Sequence, residues 1–123
     1  MAVKADFQTV FSSLKALMQT LEGELVLKTD QPERYYLDSH HQRADGYVYA
    51  FGGVEIKKNY VSYHLMPIYE HPELLEGVSE RLRKHLHGKS CFNFKTLEPD
   101  VMLELRGLTA SAFKQLTAEN HTH

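Results

Sequence analysis

The stretch YVYAFGGVEIK, residues 47–57, decides the fold because its side chains alternate as they do in a β-strand. The aromatic side chains share one face: Tyr47, Tyr49 and Phe51. Val48 and Ala50 fall on the other face. The pair Gly52-Gly53 interrupts the strand, and we expect a bulge or bend there.

Other short apolar runs surround this strand. Two of them, residues 25–29 and 34–37, flank a turn at Asp30–Pro32, and a third, Tyr60–Met66, follows a hairpin turn at Lys57–Asn59. Residues 89–94 form a last short run that carries Cys91. Together they predict about five strands joined mainly as hairpins, which favours an antiparallel sheet.

Helices are predicted at both ends and in the middle. The first shows apolar residues at spacings of three and four, with Asp6 as a plausible N-cap and Gly23 as a stop. A middle helix is predicted from Pro72 to Gly88, and a last helical region from Pro99 with a break near Gly107. We therefore predict one α+β domain, residues 1–123, whose N-terminal, middle and C-terminal helices cover mainly one face of the sheet.

Composition narrows the class of protein. The chain has 123 residues, 42% hydrophobic and 24% charged, with a formal net charge of -2, so it is neither disordered nor drawn by its global charge to nucleic acid or an anionic membrane. Cys91 is the only cysteine, which predicts a reducing compartment. No apolar run approaches the roughly 18 residues of a membrane span, and we expect a cytoplasmic protein.

Chemistry-bearing residues are sparse. His40 and His41 follow Asp38 in a predicted loop, where imidazoles and a carboxylate could meet a divalent ion or could simply be solvated. Cys91 lies in an apolar run, where a thiol usually behaves as a small buried hydrophobe. No nucleophile elbow, phosphate loop or paired cysteines are present, so we expect no catalytic residues.

The aromatic strand is the strongest sign of a binding surface. If helices cover the opposite face, an open surface forms from Tyr47, Tyr49, Phe51, Tyr63 and His64, able to bind a small molecule, a protein partner or a second copy of the chain. The alternative is that the rings form the core and Val48 and Ala50 lie outside. Small residues beside Gly52-Gly53 would let a helix approach closely, and on that ground we expect the aromatic face to be the open one.

Four segments resemble the YdhG-like family of small bacterial domains of unknown function. They are the hairpin FGGVEIKKNYVSYHLMP, the segment PELLEGVSERLRKHL, the strand HGKSCFNFK and the closing LEPDVMLELRGLTASAF. In the N-terminal part, the family usually shows a proline and a glutamate after the first helix and before the first strand, and the stretch LEGELVLKTDQPE here is a weak match to that pattern. The resemblance implies a sheet flanked by helices, in agreement with the strand and helix patterns.

Some members of that family are described as frataxin-like iron chaperones, so the resemblance implies iron as a possible ligand. Frataxins present an acidic ridge from the first helix, whereas the helix here has no acidic residue between Asp6 and Glu22, and no iron-site residues carry over. We expect a non-enzymatic small-ligand or protein-interaction module without a cofactor. The alternative is a frataxin-like iron-binding protein.

Overall fold

The computed structural model describes the backbone of residues 2–42, 44, 46 and 48–121, and within these the side-chain surroundings of all but 2–6, 41, 42 and 118–121. Its centre is a six-stranded antiparallel sheet with the strand order β1-β2-β3-β4-β6-β5. The strands are β1 (Val26–Gln31), β2 (Arg34–Gln42), β3 (Val48–Ile56), β4 (Val61–Leu65), β5 (Leu86–His87) and β6 (Cys91–Phe94). The predicted α+β fold is confirmed, with the two-residue β5 as an additional strand.

Two long helices cover one face of this sheet. The helices are α1 (Ala2–Gln19), α2 (Met66–Glu70), α3 (Glu80–Arg83) and α4 (Pro99–His121), with 3-10 turns at Glu22–Glu24 and Pro72–Leu75. Helix α1 contacts β3, β4 and α4, while α2 and α3 contact α4. None of the helices in the described part of the chain combines the length and hydrophobicity that crossing a bilayer requires.

The core lies between the sheet and these helices. It buries alternate residues of the central strands together with one face of each long helix. Its largest fully buried side chains are Tyr35, Tyr63, Phe11, Phe51, Phe92 and Phe94. Tyr63 is buried with its hydroxyl 2.6 Å from Oγ1 of Thr109 in α4, so this buried polar group has a partner.

A bulge in β3 places two consecutive residues toward the helices. The register passes from Leu37 opposite Gly52 to Asp38 opposite Ala50 and skips Phe51, which confirms the bulge predicted at the glycine pair. A Cβ atom on Gly52 would collide with the carbonyl oxygen of His64 and lie 3.1 Å from Cε of Met18. Only glycine therefore lets α1 approach β3 this closely.

The prediction of a middle helix from Pro72 to Gly88 is wrong. The segment is a 3-10 turn, an irregular stretch and the single turn α3, followed by β5. Gly77 has a φ of 83°, a conformation incompatible with a right-handed helix, and this ends the helical path. Ser79 then caps α3, its hydroxyl accepting from the Leu82 amide at 3.2 Å.

Two predicted helix boundaries are also wrong. Helix α1 begins at Ala2, so Asp6 lies inside it and is not its N-cap. Helix α4 continues through Gly107 to His121 without a break. A glycine in an exposed helical position costs only about 1 kcal/mol relative to alanine, and the apolar contacts of α4 with the sheet outweigh that cost.

Candidate functional site

The face of the sheet away from α1 and α4 is polar and concave. Strand β2 shows why. Tyr35, Leu37 and Ser39 are buried, while the residues that alternate with them line the cavity on the opposite face: Arg34, Tyr36 and Asp38. Because side chains alternate along a strand, the same pairing that builds the core places an arginine, a tyrosine and a carboxylate in one row on this open face.

Strand β1 adds a second basic group through an irregularity. Its register passes from Leu27 opposite Leu37 to Thr29 opposite Tyr36, so Lys28 has no partner position on β2. In a regular strand Lys28 and Thr29 would point to opposite faces, yet both line the same cavity. Because of the bulge, the two consecutive residues Lys28 and Thr29 both lie on the open face.

Tyr36 lies at the centre of this face, on Gly53 of the next strand. A Cβ atom on Gly53 would overlap the Tyr36 ring and lie 2.6 Å from the carbonyl oxygen of Tyr35. The guanidinium carbon of Arg34 lies 4.9 Å from the centre of the same ring, a cation–π arrangement. The glycine therefore lets the ring lie flat on the sheet, where it supports the arginine.

The Tyr36 hydroxyl is hydrogen-bonded to the Glu55 carboxylate, which also forms an ion pair with Lys57. It donates to Oε1 of Glu55 at 3.2 Å, and Nζ of Lys57 lies 3.3 Å from the same oxygen. Burial, with the charge and hydrogen bond of Glu55, raises the pKa of Tyr36 to about 12, so the phenol stays protonated at neutral pH. Lys57 and Glu55 largely offset each other's charge.

The other end of the open face holds a thiol beside an imidazole. Nδ1 of His64 in β4 lies 3.0 Å from Sγ of Cys91 in β6, its register partner, and 3.4 Å from Oγ of Ser90. Burial lowers the pKa of His64. Burial also raises the pKa of Cys91, against smaller opposing effects of Ser62 and Lys57. Both shifts favour a neutral thiol and a neutral imidazole over a thiolate–imidazolium pair.

These groups enclose one cavity of about 440 Å³. It draws on all six strands and on the β3–β4 hairpin. Its lining is Lys28, Thr29, Arg34, Tyr36, Asp38, Ala50, Lys57, Tyr60, Ser62, His64, His87, Cys91 and Asn93. Three of these side chains are basic and one, Asp38, is acidic, so the wall carries an excess of positive charge.

The predicted aromatic surface is divided between the two faces. Phe51 is fully buried and meets Phe113 of α4 edge to face, with ring centres 6.2 Å apart, and Tyr63 is fully buried as well. Ala50 instead lines the open cavity, and Val48 is 39% exposed. The expectation that the aromatic face is the open one is therefore wrong, because the bulge turns Phe51 toward the helices.

The remaining predicted surface residues have different positions. His64 lines the open cavity, as expected of a residue on the solvent side of β4. Tyr49 is half-buried and is not among the side chains that line the cavity. Tyr47 lies outside the described residues. Of the predicted ligand-contacting set, His64 alone among the described members reaches the cavity.

The predicted metal residues belong to a strand rather than a loop. Asp38 lines the cavity, whereas His40 is exposed and does not line it; the side chain of His41 lies outside the described residues. Over the part of the chain that the structure describes, no three His, Cys, Asp or Glu side chains lie close enough together to hold a metal ion.

Sequence reasoning missed the basic and sulfur-bearing parts of the cavity. The alternation of Arg34, Tyr36 and Asp38 with Tyr35 and Leu37 is a period-two signal that could have identified the open face of β2. Lys28 had no such signal, because a bulge between two strands depends on their pairing.

Searches against protein-family models, curated proteins and solved structures each return no match.

Proposed function

We propose that the protein is a non-enzymatic module that binds a small polar molecule in the open-face cavity. The observation that carries this proposal is the cavity itself, about 440 Å³ in volume, on the side of the sheet that α1 and α4 leave uncovered. Small-molecule sites typically measure about 300–1,000 Å³. We also propose that the protein is related to the YdhG-like family, and this proposal rests on the four resembling sequence segments.

The character of the wall favours a small molecule over a protein partner. Protein interfaces are rich in exposed aromatic anchors with few charges at their centre. Here the residues expected to form such a patch, Phe51 and Tyr63, are buried in the core. The open face instead presents hydroxyl, amide, guanidinium and imidazole groups around a depression, which suits a ligand held by several converging hydrogen bonds.

The state of the polar groups favours binding over covalent chemistry. A nucleophilic cysteine is normally a thiolate held by a nearby positive charge. Burial raises the pKa of Cys91 and lowers that of His64, which works against such a pair. Oε1 of Glu55 accepts from Tyr36 and pairs with Lys57, and Glu55 does not line the cavity. These features support a cavity that holds its ligand unchanged.

A fragment screen by NMR would test this function. We expect binders to shift the backbone amides of β2, β4 and β6. The variant Ala50→Leu, which adds volume to the cavity wall, should abolish those shifts. Ala110→Leu is the matched control, because Ala110 is exposed on α4 away from the cavity. Binders that map elsewhere, or that tolerate Ala50→Leu unchanged, would contradict the assignment.

A further inference from the structure

We infer that the ligand of the open-face cavity is a small organic anion whose carboxylate or phosphate group is bound by Arg34 and Lys28. This inference rests on the proposed function and adds the chemical class of the ligand. It starts from the distribution of charge on the wall, where Lys28, Arg34 and Lys57 face a single acidic residue, Asp38.

The three basic side chains are not equivalent. Lys57 lies 3.3 Å from a carboxylate oxygen of Glu55, so its charge is largely compensated. Within the described part of the chain, neither Lys28 nor Arg34 lies within ion-pairing distance of a carboxylate. Lys28 and Arg34 therefore exceed Asp38, which lies on the same two strands, by one positive charge at the β1–β2 end of the cavity. An anion there would be attracted without first displacing an internal partner.

Arg34 is also held in a suitable orientation. Its guanidinium lies over the Tyr36 ring at 4.9 Å, and the ring is fixed beneath it by contact with Gly53 and by a hydrogen bond to Glu55. A cation–π contact with the ring does not use the N–H donors of the guanidinium, so these remain available. Those donors match the two oxygens of a carboxylate or phosphate in a bidentate contact.

Lys28 supplies the second charge through the irregularity in β1. Bulges re-aim side chains and occur often beside binding sites. In this case the bulge turns a lysine into the same cavity as Thr29, whose hydroxyl can donate a further hydrogen bond. Arg34, Lys28 and Thr29 thus line the same end of the cavity and offer it a guanidinium, an ammonium group and a hydroxyl.

The opposite end determines what kind of anion fits. Ser62, Cys91 and Asn93 line it together with His64, whose pKa burial lowers. His87 and Lys57 line it as well, and the charge of Lys57 is offset by Glu55. A bare inorganic ion would leave this half of a 440 Å³ cavity empty. The arrangement therefore suits an organic molecule with one anionic group and an uncharged polar or aromatic remainder.

Titration with phenyl phosphate tests this class of ligand, with benzyl alcohol as the neutral probe. Phenyl phosphate should bind and shift the amides of β1 and β2. Arg34→Gln and Lys28→Gln should each weaken it by roughly tenfold, as expected for loss of a charge-assisted hydrogen bond. Arg34→Lys keeps the charge but loses the fork and should recover only part of the affinity. Lys58→Gln, at an exposed lysine outside the cavity, should have no effect.

Two outcomes would overturn the inference. One is that phenyl phosphate fails to bind, or binds equally well to Arg34→Gln and Lys28→Gln, with unchanged NMR spectra showing both variants folded. The other is that benzyl alcohol binds in the cavity as tightly as phenyl phosphate. If neutral fragments still bind there and are blocked by Ala50→Leu, the small-ligand function stands and only the anionic class of the ligand is lost.

Discussion

The ring of Tyr36 lies directly on the backbone of Gly53, its partner across β2 and β3. This contact helps to position the candidate site, because the ring packs on the glycine and the guanidinium of Arg34 lies over the ring. A glycine in a central strand would ordinarily weaken the sheet, since it has no side chain to contribute. The aromatic side chain of the neighbouring strand covers the exposed backbone here.

Replacing Gly53 with alanine should therefore destabilise the protein and displace the ring. The new methyl group would meet both the ring and the carbonyl oxygen of Tyr35, and overpacking of this kind costs about 1–3 kcal/mol. Urea denaturation would measure the loss. Gly107→Ala is the control with the opposite sign: its Cβ would meet nothing within 4 Å in helix α4, and we expect a gain of about 1 kcal/mol. Equal effects of the two substitutions would contradict this account.

The buried hydroxyl pair of Tyr63 and Thr109 should respond asymmetrically to mutation. The Thr109 hydroxyl donates to the carbonyl oxygen of Leu105 at 2.8 Å, so Tyr63 must donate to Thr109. Thr109→Val would leave the phenolic O–H buried without an acceptor, at a cost of about 1–3 kcal/mol. Tyr63→Phe should cost less, and the double variant should be no less stable than Thr109→Val alone. A double-mutant cycle by chemical denaturation would decide, and additive losses would argue against the pair.

Cys91 should react slowly with thiol reagents in the native protein at neutral pH. Burial raises the pKa of the thiol, and only the thiolate reacts. The rate should increase with pH up to a midpoint above the ordinary thiol value, and it should rise sharply in urea. Because the chain has no other cysteine, the absorbance of a released chromophore reports Cys91 alone. Fast labelling at pH 6 would instead indicate a thiolate stabilised by protonated His64.

His64 should make the protein less stable as the pH falls. Burial lowers its pKa in the folded state below the unfolded value of about 6.5, so the unfolded chain takes up more protons between these two values. Stability therefore declines as the pH drops through about 6.5 and stops declining below the folded-state pKa. His64→Gln should flatten this part of the profile in thermal unfolding, compared with His40→Gln at an exposed position. Identical profiles for both variants would show that His64 is not the group responsible.

The iron-binding alternative predicts a different titration from the one we expect. With Asp38 facing the cavity and His40 outside it, we expect Fe²⁺ to bind no more tightly than roughly 10 μM under anaerobic conditions, about -7 kcal/mol. Isothermal titration would measure the affinity. Stoichiometric submicromolar binding that disappears on replacing Asp38, His40 and His41 together would favour the iron-binding function over the one proposed.

The sequence was sufficient for the fold class but not for the orientation of its central strand. The 3.6-residue periodicity of α1 and the alternation in β3 are local signals, and both elements are confirmed. Which side of β3 faces the helices depended on a bulge that moves Phe51 to the same side as Gly52, and this is a property of the pairing with β2. The helices were expected to pack on the side of Val48 and Ala50, whose side chains are small. This expectation failed because the bulge places Phe51 on the helix side and leaves Ala50 on the open face.

The candidate site was predictable only in part for a similar reason. Arg34 and Tyr36 could be assigned to one face from β2 alone, once Tyr35 and Leu37 were placed in the core. Lys28 required the register of β1 against β2, and the approach of His64 to Cys91 required the pairing of β4 with β6, which are separated in sequence by α2, α3 and β5. Pairings between distant segments leave no periodic trace in the sequence.

The alternation of β2 has a consequence for how such domains diversify. Residues 35 and 37 lie in the hydrophobic core, while residues 34 and 38 line the cavity, so substitutions at 34 and 38 leave the core intact. Tyr36 is the exception on this face, because its ring covers the backbone of Gly53. Evolution can therefore change the charge and shape of the cavity at little cost in folding free energy. Proteins that share this scaffold should differ most in ligand preference at every second strand position, and an engineer could draw a combinatorial library from the same positions.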